Sequence, residues 1–258
     1  MSGRVELDAV VSYLDRFLRV GELPDYPNAV NGLQVENRGQ IARIVAAVDA
    51  SLETIEAAGD EARPTLLLVH HGLLWDGNVP LTGRRLRRLR ALLGRDTALY
   101  ASHLPLDVHP HVGNNAVLAA RLGVRVEGTF GSYKGTEIGV WGHAPSPVRD
   151  RKELVEALDR LLGTTARLIP GGPDPVRRIG IVTGAAGDMT GEARAAGLDT
   201  FVTGEGPHHT YFDAMEWGLN LIYAGHYATE QLGVQTLAEH LSERFGLPWE
   251  FHRHPTGL

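Results

Sequence analysis

Short apolar runs rich in Val, Ile and Leu punctuate this chain, and several of them end on a histidine. I-A-R-I-V-A-A-V-D spans Ile41 to Asp49, T-L-L-L-V-H-H spans Thr65 to His71, and T-A-L-Y-A-S-H spans Thr97 to His103. Runs this short and this apolar suit strands covered on both faces. Helix-like stretches lie between them, Leu52 to Ala58 and Leu81 to Leu93, and Val5 to Val20 has a helical period. A second set follows: Glu137 to His143, Arg177 to Thr183, Asp199 to Glu205 and Asn220 to His226, closed by an amphipathic helix from Thr229 to Phe245. Strands alternating with helices at this spacing predict an α/β fold with mainly parallel sheets.

The two sets look like a degenerate duplication. R-I-V-A-A-V-D, L-L-V-H-H-G and Y-A-S-H-L-P-L-D in the first answer to R-I-G-I-V-T-G, T-F-V-T-G-E-G and Y-A-G-H-Y-A-T-E in the second. The expectation is two related α/β domains facing a shared cleft, with a soft boundary near Gly128 to Gly135 and halves of 1–130 and 131–258. P-G-G-P-D-P, Pro170 to Pro175, is turn chemistry.

The chain has 258 residues, no cysteine and 12 histidines. Without cysteine there are no disulfides, thiolate metal sites or cysteine nucleophiles. A formal charge of -6 offers no basic face for nucleic acid. The one basic run, G-R-R-L-R-R-L-R from Gly83 to Arg90, reads as a solvated helix face with its leucines inward. Neither a signal peptide nor a membrane span is visible, so a cytoplasmic location is the default expectation. No G-x-S-x-G elbow supports a serine triad, and T-G-A-A-G-D, Thr183 to Asp188, lacks the lysine of a phosphate loop.

Polar residues gather where strands end. His70 and His71 close one run, Asp107 follows another, His226 closes a third, and Glu230 lies just beyond it. In open parallel sheets, sites form beyond the carboxyl ends of strands. Imidazoles and carboxylates without sulfur suit divalent zinc, manganese, iron, cobalt or nickel. His70, His71, Asp107, His226 and Glu230 exceed what one catalytic ion uses, and a carboxylate, Asp107 or Glu230, can bridge two. Each piece has a plainer reading by itself: His-His and a His four residues before a Glu recur by accident, and Asp107 can cap a turn.

At this point the sequence resembles the NIF-three-like proteins, also named GTP cyclohydrolase 1 type 2 homologues or dinuclear metal centre proteins. The resemblance rests on N-G-L-Q-V (Asn31 to Val35), V-H-H-G-L-L-W (Val69 to Trp75), S-H-L-P-L-D-V-H (Ser102 to His109), G-N-N (Gly113 to Asn115), T-G-E (Thr203 to Glu205) and G-H-Y-A-T-E (Gly225 to Glu230). It implies the same five metal ligands, two divalent ions per chain, two related α/β domains without an inserted domain, and toroidal homohexamers with inward-facing metal sites. Its cyclohydrolase name implies opening of the GTP imidazole ring. The segment Gly131 to Gly139 departs from the family's usual G-x-G-R-x-G form, which leaves that loop without an assigned role.

The leading expectation is therefore a metal-dependent hydrolase acting on a nucleotide or another phosphorylated small molecule, with no nucleic-acid or membrane partner. His103 and Glu205 are candidates for proton transfer, although His103 also suits a hydrogen bond to a ligand and Glu205 a helix cap. Asn31, His208 and His209 are candidates for substrate contact; Asn31, with Gln34, equally suits bracing of a loop. The alternative function is a non-catalytic, ring-shaped metal-binding or regulatory scaffold.

Overall fold

The computed structural model describes residues 3–60, 62–145 and 150–258. The chain forms two compact units, one of Met1–Leu106 with Gly233–His254, the other of Asp107–Leu232 with Pro255–Leu258. The stretch Gly233–His254 returns the chain to the first unit.

Unit 1 contains β1 (Val5–Glu6), α1 (Leu7–Phe17), β2 (Gly32–Val35), β3 (Gln40–Ile41), β4 (Arg43–Asp49), α2 (Leu52–Ala58), β5 (Thr65–His71), α3 (Gly83–Gly94) and β6 (Thr97–Ala101). The boundary falls at the end of α4 (Leu104–Asp107). Unit 2 continues with α5 (Asn114–Leu122), β7 (Arg125–Tyr133), β8 (Thr136–His143), α6 (Arg151–Leu162), β9 (Arg167–Pro170), β10 (Arg178–Ile181), α7 (Thr190–Ala195), β11 (Thr200–Thr203), α8 (Thr210–Trp217) and β12 (Asn220–Tyr223). The long helix α9 (His226–Phe245) starts in unit 2 and ends in unit 1, where β13 (Trp249–Phe251) completes the sheet.

The sheet of unit 1 has the order β13-β4-β5-β6-β2. β13, β4, β5 and β6 pair in parallel, and β2 joins antiparallel to β6. β5 sits at the centre, which is why its run is apolar throughout: Leu66, Leu67, Leu68 and Val69 have no exposed surface. Each such side chain contributes about 1.5–3 kcal/mol of transfer free energy. Ile55 of α2 and Leu92 of α3 cover this core, and Ser51 caps α2 by accepting from Thr54 N. α1 buries Leu7, Val10 and Leu14 at helical spacing.

Unit 2 corrects the expectation of a mainly parallel sheet. Its order is β7-β8-β10-β11-β12-β9. β10, β11 and β12 are parallel, but β7 with β8, β8 with β10, and β12 with β9 are antiparallel. The segment Gly131 to Gly139 belongs to the β7–β8 hairpin, whose two-residue turn places Lys134 and Gly135 at φ 48° and 84°. Positive φ at both central positions is the hairpin turn that follows strand twist. α6 packs Leu154, Leu158 and Leu162 onto Ile179, Ile181, Val202 and Ile222, and Asp150 caps it by accepting from Glu153 N at 2.7 Å.

The duplication has a structural counterpart. β4-α2-β5-α3-β6 and β10-α7-β11-α8-β12 are each three adjacent parallel strands joined by helices. Tyr100-Ala101-Ser102-His103 and Tyr223-Ala224-Gly225-His226 each run off the third strand. No helix among the described residues is long and apolar enough to cross a membrane.

Candidate metal centre

In unit 1, β5 delivers His70 and His71 as its last two residues. Neighbouring strand side chains point to opposite faces, so two histidines serve one site only where the strand gives out. His70 is buried, and its Nδ1 donates to Ser102 O at 2.9 Å. His71 Nδ1 donates to Asp49 Oδ1 at 2.9 Å, Asp49 being its register partner at the end of β4. His103, past the end of β6, donates Nδ1 to Asp25 Oδ1 at 2.8 Å. Ring centroids lie 4.7 Å apart for His70 and His71, 4.9 Å for His70 and His103, and 5.7 Å for His71 and His103. One ligand nitrogen from each ring falls within 4.8 Å of the others.

Asp25 anchors this arrangement. It also accepts from Asn31 Nδ2 at 2.8 Å, Leu104 N at 2.9 Å and Tyr26 N at 2.6 Å. Burial pushes its carboxyl up, but the hydrogen bond and charge of His103, then Asn31 and Tyr26 N, outweigh burial and hold it below the usual value. Asn31 commits both ends of its amide, donating to Asp25 and accepting from His103 N at 2.7 Å. Both contacts suit the bracing role. Gln34 braces in the same way, accepting from Leu73 N at 2.7 Å and donating to Ala29 O and Val30 O. Trp75 stands edge-to-face with His103, centroids 5.0 Å apart.

In unit 2, Asp107 ends α4 and is buried. Its Oδ1 accepts from Asn114 Nδ2 at 2.9 Å and Thr183 Oγ1 at 3.3 Å. His226 opens α9, and Glu230 lies one turn further on. His226 Nδ1 donates to Glu205 Oε1 at 2.7 Å, while Nε2 faces Glu230 Oε2 at 3.1 Å. Burial opposes a charge on His226, but Glu230 and then Glu205 outweigh it and raise its pKa to about 9. The loop after β10 closes around these groups: Gly184 N donates to Thr229 Oγ1 at 3.0 Å and Ala186 N to Thr203 Oγ1 at 3.2 Å. Asn115 ties the same loop to β8, accepting from Thr183 N and donating to Ile138 O.

The donor set fits divalent ions of borderline softness. Ligating histidines almost always give their other ring N–H to a carboxylate or carbonyl, which fixes tautomer and orientation. His70, His71, His103 and His226 all do so through Nδ1. The sequence named the ligand candidates and Glu205, but not most of the other groups behind them. Asp49 was visible as the acid ending V-A-A-V-D, and Asn114 and Asn115 as part of G-N-N; Asp25, in an irregular loop, carried no signal. Glu205 accepts from His226 and so orients its ring. His208 and His209 are exposed at the start of α8, His208 against the edge of Phe212 and His209 at 3.5 Å from Asp188.

Comparison with known proteins shows the family. Residues 5–255 match the family described as Duf34/NIF3 (NGG1p interacting factor 3). A Deinococcus radiodurans protein named GTP cyclohydrolase 1 type 2 homolog is 42% identical over 257 residues, covering 99% of this chain and 96% of the relative. The solved structure of TTHA1606 from Thermus thermophilus is 41% identical with a TM-score of 0.86, covering 98% of this chain and all of that one. A structure titled as protein ybgI of unknown function is 34% identical with a TM-score of 0.90, at the same coverage.

Proposed function

Because the chain belongs to the Duf34/NIF3 family, we propose that it binds two divalent cations and is a metal-dependent hydrolase of a nucleotide or another phosphorylated small molecule. The observation that carries this reading is the fixed orientation of the histidines: each proposed histidine ligand has Nδ1 committed to an oxygen. The proposed ligands are His70, His71, Asp107, His226 and Glu230. Bound divalent ions supply Lewis acidity, polarising the bond under attack and acidifying water.

The chain's own residues do the rest. Asp49 and Ser102 O hold the two β5 imidazoles, and Asn114 and Thr183 fix the Asp107 carboxylate. Glu205 holds His226, and its half-exposed carboxylate would take a proton from the attacking water and return it to the leaving group. The nucleotide class is supported by the name of the Deinococcus relative, GTP cyclohydrolase 1 type 2 homolog. The reading includes a homohexamer on the family resemblance, and the apolar side chains that α8 exposes, Tyr211, Phe212 and Met215, support a contact between copies.

Elemental analysis of the purified, unchelated protein tests the first step, followed by hydrolysis assays on nucleotides with the metal found. Two equivalents per chain with turnover is the expected result. Two equivalents without turnover would leave a metal-binding scaffold, and no metal even after addition of zinc, manganese or iron would overturn the proposal. Light scattering on the same sample reads the hexamer.

A further inference from the structure

The arginines of α3 divide by what they touch. Arg84 pairs with Asp76, and Arg85 is buried against two backbone carbonyls. Arg87 and Arg90 stand exposed, with no hydrogen bond or ion pair to any described residue. They sit three positions apart on one helix face, where like charges repel and cost helix stability. No acid in α3 offsets them, although the chain as a whole carries a formal charge of -6.

Both side chains edge a groove of about 390 Å³ between α2 and α3. A third guanidinium there belongs to Arg95, the residue that ends α3. Unlike the other two, it is fixed in place. Its Nη1 donates to Glu56 O at 2.7 Å, and its stem crosses Gly59 so closely that a Cβ there would collide with Arg95 Cδ. Gly59 has an unstrained backbone, with φ at -69°, so glycine serves the close approach and not the conformation. Half-buried Leu52 and Ala91 add apolar surface, and the exposed Glu56 joins them from the α2 side. None of these residues belongs to the histidine and carboxylate clusters.

Three guanidiniums on one small concavity select for an anion with several oxygens. Their planar forks match phosphate oxygens two at a time. A phosphate monoester brings nearly two charges and three acceptor oxygens. The groove has the volume of a small-molecule site. A nucleic-acid backbone needs a broader basic face, and Arg84 and Arg85 are already engaged. The Glu56 carboxylate only accepts, so it suits a hydroxyl or amine on the ligand.

We propose that the α2–α3 groove binds a small phosphate monoester, with its phosphate on Arg87, Arg90 and Arg95. The ligand body rests on Leu52 and Ala91, and a hydroxyl or amine of it donates to Glu56. Nucleoside monophosphates and sugar phosphates share this chemistry. The site is separate from the proposed metal centre and stands whether or not that reading does.

The test is calorimetric titration of the full-length chain in chelator and low salt. Guanosine monophosphate, glucose 6-phosphate and inorganic phosphate serve as separate probes, and the ester that binds tells nucleotide from sugar. One ester is expected to saturate a single site per chain, more tightly than inorganic phosphate and less tightly as salt rises. The double variant Arg87→Gln, Arg90→Gln should weaken it by about tenfold or more, the cost of losing hydrogen bonds to a charged group. Arg84→Gln, outside the groove, should leave it unchanged. Gly59→Ala keeps every charge but displaces Arg95, and is also expected to weaken binding by about tenfold. Circular dichroism confirms that each variant is folded. The proposal is overturned if no probe saturates, or if the double variant binds the ester as well as the unmodified chain does. Inorganic phosphate binding as tightly as either ester would overturn the ester assignment, and unchanged binding by Gly59→Ala would overturn the part given to Arg95.

Discussion

Gly184 and Glu230 are in such close approach that a Cβ on Gly184 would collide with Glu230 Oε1. The same Cβ would come within 3.5 Å of His226 Nε2. Gly184 also holds φ +73°, which side chains rarely adopt. The glycine therefore leaves the proposed ligand carboxylate its place. Gly184→Ala is expected to cost about 1–3 kcal/mol in stability from backbone strain, and to displace Glu230. Urea unfolding reads the first effect. Elemental analysis reads the second, and a full metal complement in the variant would show that Glu230 is not a ligand.

Asn114 acts on Asp107 through its 2.9 Å bond to Oδ1. Asn114→Ala leaves the carboxylate in place with the longer 3.3 Å bond from Thr183 Oγ1 but without its closer partner. Loss of an orienting partner weakens metal binding by about 10–100-fold. Chelator competition measures this directly, and an unchanged dissociation constant would remove Asp107 from the ligand set.

What the sequence made legible was local. β5 begins and ends where T-L-L-L-V-H-H does, because a central strand buried on both faces must be apolar along its whole length. α2 matches Leu52 to Ala58 for the complementary reason, a capped amphipathic turn with Ser51 at its start. β7 was not legible: as the edge of a hairpin it is largely exposed and interrupted by Gly128 and Gly131, so no apolar period marks it. Strand direction was also hidden. Nothing in Thr136 to His143 says that β8 runs against β10, since pairing depends on partners far along the chain. The site divides the same way. Ligand types at strand ends could be read, but Asp25 stands 78 residues from the His103 it orients, and no spacing rule connects them.

The basic run of α3 shows how a charge pattern can mislead. Arg85 is buried, donating to Gly77 O at 2.7 Å and Val79 O at 3.1 Å, while Leu86 and Leu89 are half-buried as the run implies. One member of the supposedly solvated face is thus a brace for the loop ahead of the helix. Arg85→Met should lower stability by about 1–3 kcal/mol, because two carbonyls lose their donors. Metal content should not change. A loss of bound metal in this variant would mean that the loop supports the site more directly than its contacts show.

His226 supplies a pH dependence with opposite signs for the metal-free fold and for metal binding. Its folded pKa of about 9 lies above the free value of 6.5. A raised pKa means that the metal-free fold holds the proton more tightly than the unfolded chain does. That stabilisation is complete below pH 6.5 and is lost as pH rises through about 9. A cation needs the neutral imidazole, so binding must release the proton from Nε2. Apparent zinc affinity should therefore rise with pH by about tenfold per unit while His226 is mostly protonated. Thermal unfolding of the chelated protein and zinc titration over the same pH range check the two signs. Glu205→Gln removes one of the two carboxylates that raise the pKa, so its affinity should level off at a lower pH. A zinc affinity flat across this window in both proteins would exclude His226 from the ligand set.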